Sequence, residues 1–262
     1  MMIDQSWQIP GDLSSVETQR LADSRRDRLL TGGNKSDSTV EALSKPLVTH
    51  RRIPIVGIVG GIGSGKSAVA DWVAKYSRVS VINADKLGHE ALQSPPVAEA
   101  LKLRFGQQII GADGGIVRSE LARQVFGSDS GQLVARRDLE QIVHPEIGRR
   151  ILEAVALAAA QDRDAVLLDA AILLEAGWRS KCDLVVFIES PDADRLARVR
   201  ENRGWTEDEL HRREASQWSL IDKRREADLI VSNDRDLEHA GLQLLEALQH
   251  AGVPLRRLSS MT

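Results

Sequence analysis

One cysteine, Cys182, stands in 262 residues. A lone thiol excludes an intrachain disulfide and any zinc site built on cysteines, and its expected place is that of a small buried apolar residue. Aromatics are scarce too: five Trp, three Phe and one Tyr. A platform that stacks single-stranded nucleic acid needs exposed rings, so the core is expected to be aliphatic. Neither charge dominates. The 35 basic and 38 acidic side chains leave a formal net charge of −3, which excludes both a strongly basic nucleic-acid-binding chain and an acidic solvating one. No run approaches the ~20 apolar residues of a membrane span. The opening MMIDQSWQIPGDLSS lacks the basic and apolar regions of a secretory signal. The expectation is a cytoplasmic protein with no membrane and no nucleic-acid partner.

What is present is ordinary for a globular chain: 42% hydrophobic and 28% charged residues, enough for one large or two small domains with a real core. Residues 1–50 stand apart. They are polar, serine-rich and broken by Gly32, Gly33 and Pro46, with seven acids against six bases. They read as a mobile extension with a transient helix over Val16–Leu30. Asn34-Lys35-Ser36-Asp37 spells the guanine-reading motif of GTPases, but no apolar strand precedes it, so it is read as coincidence.

From Ile53 onward strands and helices alternate, the signature of an α/β protein with a parallel sheet. Apolar runs at Ile53–Val59, Val79–Ile82, Ala165–Leu168, Leu184–Ile188 and Asp228–Val231 predict strands. Helices are expected from Gly65, from Pro95, around Leu121 and Leu139, and anew from Pro145. Ser190-Pro191 reads as an N-cap and first-turn proline. Thr206-Glu-Asp-Glu209 reads as a capping box opening a helix with Leu210, Trp218 and Ile221 on its apolar side.

Gly60-Gly61-Ile62-Gly63-Ser64-Gly65-Lys66-Ser67 fits G-x-x-x-x-G-K-[ST]. A loop that wraps phosphate with its N–H groups cannot tolerate obstructing side chains, and glycines permit the unusual dihedrals required. The following helix brings free N–H groups and its positive end to the anion. The expected nucleotide-binding residues are Gly61, Ile62, Gly63, Ser64, Gly65, Lys66, Ser67 and Ala68. Lys66 reaches the β- and γ-phosphates, and Ser67 offers a hydroxyl to Mg²⁺. A GTPase would carry D-x-x-G after a strand, whereas the third strand runs into Asp169-Ala-Ala-Ile172. A small kinase needs an acceptor pocket, an orienting carboxylate and an arginine-bearing lid. Asp85 at the end of the second strand, a helical block over 86–160, and Arg195, Arg198, Arg200 and Arg203 after the fourth strand meet those needs.

At this point the chain resembles the dephospho-coenzyme A kinase family through nearly all of its length after residue 52. Val59–Ser67 is similar to T-G-G-I-G-S-G-K-S, and Asn83-Ala84-Asp85 to D-A-D. Gly106, Gly114, Arg118, Leu121 and Phe126 fall at the spacing of the family's F-G…D-G…R-x-x-L-x-x-x-x-F segment. Leu139-Glu-Gln-Ile-Val-His-Pro145 resembles L-E-x-I-x-H-P, and Asp169–Glu175 resembles D-x-P-L-L-F-E. Gln217 and Ala227–Asn233 resemble the family's Q…A-D-x-V-I-x-N ending. The resemblance implies a P-loop kinase core over 51–262, with a helical CoA-binding insert at about 86–160 and a lid at about 195–225. It implies transfer of the ATP γ-phosphoryl group to the ribose 3′-hydroxyl of dephospho-CoA, with Mg²⁺ on Ser67. Lys66, Asp85 and Arg203 are then the catalytic candidates, and Asp85, Arg118 and His144 the substrate-binding ones. Departures are Asn83 for Asp, Ala68 for Thr, Ala171 for Pro and Leu174 for Phe. Alternative readings stand beside these roles: Asp85 as a helix cap, His144 as packing, Arg118 as the partner of a carboxylate, and the arginines as a solvated face. Glu175 is read either as a metal helper or as a turn cap.

Overall fold

A computed structural model describes residues 52–127, 129–256 and 258. The extension over 1–50, its transient helix and the Asn34–Asp37 motif lie outside the described residues. The five apolar runs form β1 (Ile55–Gly60), β2 (Val79–Asn83), β3 (Ala165–Asp169), β4 (Leu184–Glu189) and β5 (Leu229–Ser232). They make one parallel sheet in the order β2-β3-β1-β4-β5. Side chains alternate across a strand, and both faces here are covered. Val56 and Ile58 of β1, Leu167 of β3 and Val186 and Ile188 of β4 point to one core, while Val59, Val166, Leu168, Val185 and Phe187 point to another. That explains why the strands read as continuous apolar runs rather than as alternating ones.

The first core is closed by α1 (Lys66–Tyr76) and α9 (Leu237–His250), which bring Val69, Val73, Leu244, Leu245 and Leu248 onto the sheet. The two helices lie close because α9 has a glycine where they meet: a Cβ on Gly241 would stand 2.0 Å from the ring of Trp72. The second core lies under a helical block, α2 (Ala84–Leu92), α3 (Pro95–Phe105), α4 (Arg118–Val125) and α5 (Ser130–Ala160). Val97, Leu101 and Phe105 are buried at helical spacing as the sequence predicts. The remaining helices, α6 (Asp192–Arg203), α7 (Glu207–Glu214) and α8 (Leu220–Arg225), follow β4. Gly204 ends α6 in a left-handed conformation (φ 67°).

Three local expectations are corrected. Pro145 does not start a helix; α5 runs through it for 31 residues. The backbone bond lost at a proline is the one to the carbonyl four residues earlier, here that of Gln141, on the exposed side of the helix. Water can serve that carbonyl, while Leu139, Val143, Ile147 and Ile151 continue the buried stripe across the proline. Ser190 is not the cap of α6; its hydroxyl donates to the Asn233 carbonyl at 3.1 Å, and Pro191 takes the cap position. Thr206 does cap α7, accepting from the Glu209 N–H. That helix stops at Glu214, however, so Trp218 and Ile221 fall outside it and are exposed, while Leu210 alone is buried.

Candidate active site

The phosphate loop joins β1 to α1 at the carboxyl edge of the sheet, where open parallel sheets bind ligands. Gly63 (φ 79°) and Gly65 (φ 82°) sit in the left-handed region that their sequence positions require. Gly65 is the N-cap of α1 and has no capping side chain, so the first N–H groups of the helix point to the loop interior. Ala68 is exposed on the first turn. The loop is braced from outside. Asn233 Nδ2 donates to the Ser64 carbonyl at 2.7 Å, Arg198 Nη1 to the Gly63 carbonyl at 3.2 Å, and Arg195 Nη1 to the Ile62 carbonyl at 3.1 Å. With the carbonyls bonded outward, the amides keep their inward direction. Arg195 is buried and paired with Asp192 and Glu214, so this arginine holds the loop rather than lying on a solvated face.

Strand order supplies the next group. β3 lies beside β1 with Asp169 opposite Ile58 and, on its other side, opposite Asn83. Asp169 is therefore delivered under the loop. Its Oδ2 accepts from Ser67 Oγ at 2.5 Å, and its Oδ1 lies 3.5 Å from Lys66 Nζ. Asp169 is 2% exposed, and Oδ1 is buried with no hydrogen bond. A hydroxyl and one buried carboxylate oxygen suit Mg²⁺, which takes one or two protein oxygens and fills its shell with phosphate oxygens and water. Among the described residues no group of three or more His, Cys, Asp or Glu side chains gathers to hold a metal alone. Sequence reasoning missed Asp169 as a site residue. The signal was the acid ending the third strand, but only the strand order places it beside Ser67.

Asp85 lies in the first turn of α2, two residues beyond β2. Capping falls instead to Asn83, whose Oδ1 accepts the Lys86 N–H at 2.8 Å. The Asp85 carboxylate is left to face the site and accepts from the Ala171 N–H at 3.5 Å. Ala171 is held in turn by Lys223, whose ammonium donates to the Ala171 carbonyl (3.2 Å) and to Gln217 Oε1 (2.8 Å). Lys223 also pairs with Glu175 at 3.0 Å. Glu175 accepts the Trp218 N–H as well, so it is an anchor for the segment around α8. Burial holds Lys223 below the usual lysine range, with Glu175 pulling the other way.

A cavity of about 350 Å³ opens from the loop. Ile62, Gly63, Lys66, Asp85, His144 and Arg203 all line it. Arg203 is exposed and lies over the Trp205 ring, 4.7 Å from its centroid, with Arg213 4.1 Å from the same ring. Arg118 is placed elsewhere: its guanidinium is hydrogen-bonded to His89 Nε2 at 2.9 Å, and only His89 reaches the lining. Its partner is therefore an imidazole, not a carboxylate.

The arrangement can hold a polyphosphate on main-chain amides and Lys66 and can present a carboxylate to an alcohol in the adjoining cavity. No helix of the described residues is long and apolar enough to cross a membrane. The profile of the dephospho-CoA kinase family matches residues 54–239. A Rhodopirellula baltica dephospho-CoA kinase is 37% identical over 181 residues, covering 69% of this chain and 83% of its own. One from Symbiobacterium thermophilum is 36% identical over 199 residues, covering 75% and 81%. A Thermus thermophilus protein of known crystal structure superposes with a TM-score of 0.65 at 31% identity, covering 77% of this chain and 98% of the other. With this loop, this strand order and a profile match across most of its length, the chain belongs to the dephospho-CoA kinase family.

Proposed function

We propose that this protein transfers the γ-phosphoryl group of ATP to the ribose 3′-hydroxyl of dephospho-CoA, giving CoA and ADP. Both substrates are soluble, and the cytoplasm is the compartment proposed for the reaction. The observation that carries the reading is that Lys66, Asp85 and the loop residues Ile62 and Gly63 border one cavity. Residues of α2 and α5 form its acceptor wall, and the segment from α6 to α8 serves as the lid.

The transferred phosphoryl group carries its charge on peripheral oxygens, so positioning and electrostatics do most of the catalysis. The loop amides hold the phosphates, and Lys66 neutralises charge on the γ-group. Asp85 accepts a hydrogen bond from the acceptor hydroxyl and takes its proton as the new bond forms. The Ala171 N–H and the Lys223 contact behind it keep that carboxylate in place. Arg203 adds positive charge from the lid side of the cavity. Ser67 and Asp169 would hold Mg²⁺, which supplies Lewis-acid stabilisation of the phosphates.

Product analysis tests the reading. Incubated with ATP, Mg²⁺ and dephospho-CoA, the protein is expected to yield CoA and ADP in equal amounts. Phosphorylation of nucleoside monophosphates with none of dephospho-CoA would overturn it.

A further inference from the structure

Four arginines stud α6, and their partners differ. Arg195 is buried between Asp192 and Glu214 and also bonds the Ile62 carbonyl. Arg198 directs its N–H groups to the carbonyls of Gly63 and Asn233 and to Ser190 Oγ. Arg200 lies 3.8 Å from Glu207. Arg203, the last residue of the helix, is the one of the four that lines the cavity. Its guanidinium lies 4.7 Å from the centroid of the Trp205 ring. Among the described residues that guanidinium makes no ion pair and no hydrogen bond.

The kind of partner matters to the chemistry. A carboxylate would offset the positive charge and occupy the in-plane N–H donors, which are the groups that meet a phosphate two at a time. An aromatic ring attracts a cation through the face of its π-system and leaves those donors open. An unheld arginine on an exposed helix end has many rotamers to give up when it meets an anion. A ring beside it narrows that search and leaves both charge and donors intact.

The ring is itself held. Trp205 is half-buried between Gly204, which ends α6, and Thr206, which caps α7. Its N–H donates to the Val199 carbonyl at 3.4 Å. From α7, Arg213 lies 4.1 Å from the same ring centroid. Two cations beside one ring repel, but Arg213 Nε donates to Glu209 Oε1 at 2.6 Å. The second charge is thereby offset, and the contact ties the ring to α7. Arg203 has no such acid, so its charge remains for the cavity that Lys66 and Asp85 also line.

We propose that Trp205 is a positioning residue for phosphoryl transfer: its ring holds the Arg203 guanidinium at the cavity rim, with charge and N–H donors left for the transferred group. The inference rests on the functional reading above.

Steady-state kinetics and thermal melts of the full chain test it. Trp205→Leu keeps an apolar residue ahead of the α7 cap and removes the π-face. It is expected to lower kcat with dephospho-CoA about fivefold, the strength of one exposed cation–π pair. The KM for dephospho-CoA and the melting temperature should stay nearly unchanged. Trp205→Phe, which restores a face, is expected to recover most of the rate. Arg203→Ala should lower kcat at least as far as Trp205→Leu does. Adding Trp205→Leu to Arg203→Ala should lower it no further, because the ring acts only through the arginine. An unchanged kcat in Trp205→Leu overturns the assignment. A double variant whose loss is the product of the two single losses also overturns it, as does a Phe variant no better than the Leu one, since either makes the ring a packing group alone. A wild-type protein that leaves dephospho-CoA unphosphorylated overturns the functional reading itself, a result distinct from these.

Discussion

Lys66 lies 3.5 Å from Asp169 at the end of β3, and in the proposed function it also serves the phosphate in the loop. Removing its charge should cost transition-state stabilisation far more than folding. Lys66→Ala is expected to lower kcat by about 10²–10³-fold, the range for loss of one strong electrostatic donor, with the melting temperature nearly unchanged. Asp85→Asn should lower kcat by about 10²–10⁴-fold and spare the KM for ATP; an equal loss of ATP affinity would make Asp85 a metal ligand instead. Glu140 carries a pH prediction. Burial puts its folded pKa at about 7, above the unfolded 4.5, so the folded state holds the proton longer and stability falls as pH rises between those values. His144, held by burial at about 4 against 6.5, has the opposite sign: stability is lost as pH falls from 6.5 toward 4. Denaturant titrations of Glu140→Gln should show the decline above pH 5 removed and the acid-side loss retained. At this scale the sequence displayed Lys66, Ser67 and Asp85 because each sits in a local pattern. It hid Asp169 and Asn233 as site residues, and offered Arg195 only as one of four lid arginines and not as the brace of the loop, because their roles come from neighbours more than a hundred residues away.

The elements hold together at a few buried contacts, and these invite perturbation. Lys223 of α8 is 1% exposed and Glu175 is 7% exposed. Losing one partner strands the other's charge away from water, at about 3–5 kcal/mol. Lys223→Met is expected to lower the melting temperature by roughly 10 °C, at about 2–4 °C per kcal/mol for a domain of this size. Lys223→Met with Glu175→Gln should regain part of that loss. Because Lys223 also holds the Ala171 carbonyl behind Asp85, the single variant should lose kcat as well. The strands and most helices were legible from apolar runs and spacing. Pro145 was not, because whether a proline breaks a helix depends on which way its missing bond faces. The length of the helix after Thr206 was misread for a related reason: the exposed Trp218 and Ile221 imitate a buried face.

At the scale of the molecule, Lys66, Asp169 and Asp85 gather at the carboxyl edge of one sheet, so on the proposed function nucleotide binding should report on the whole fold. ATP with Mg²⁺ at a hundred times its dissociation constant adds about 2.7 kcal/mol of stability, which corresponds to roughly 5–10 °C in a thermal melt. Lys66→Ala should lose most of that shift. Strand order made the site, and no single stretch of sequence states it; the order emerges only when Val56, Leu167 and Val186 share one core and Val59, Leu168 and Phe187 the other. That packing also secludes Cys182, which is 8% exposed and close to Gly57, its thiol pushed up to about 11 by burial. Maleimide dyes and spin labels react with thiolates, so they should pass over the native sulfhydryl. A cysteine introduced on the segment from α6 to α8 can then be tagged alone, and its proposed role as a lid tested without first stripping the natural one from the chain.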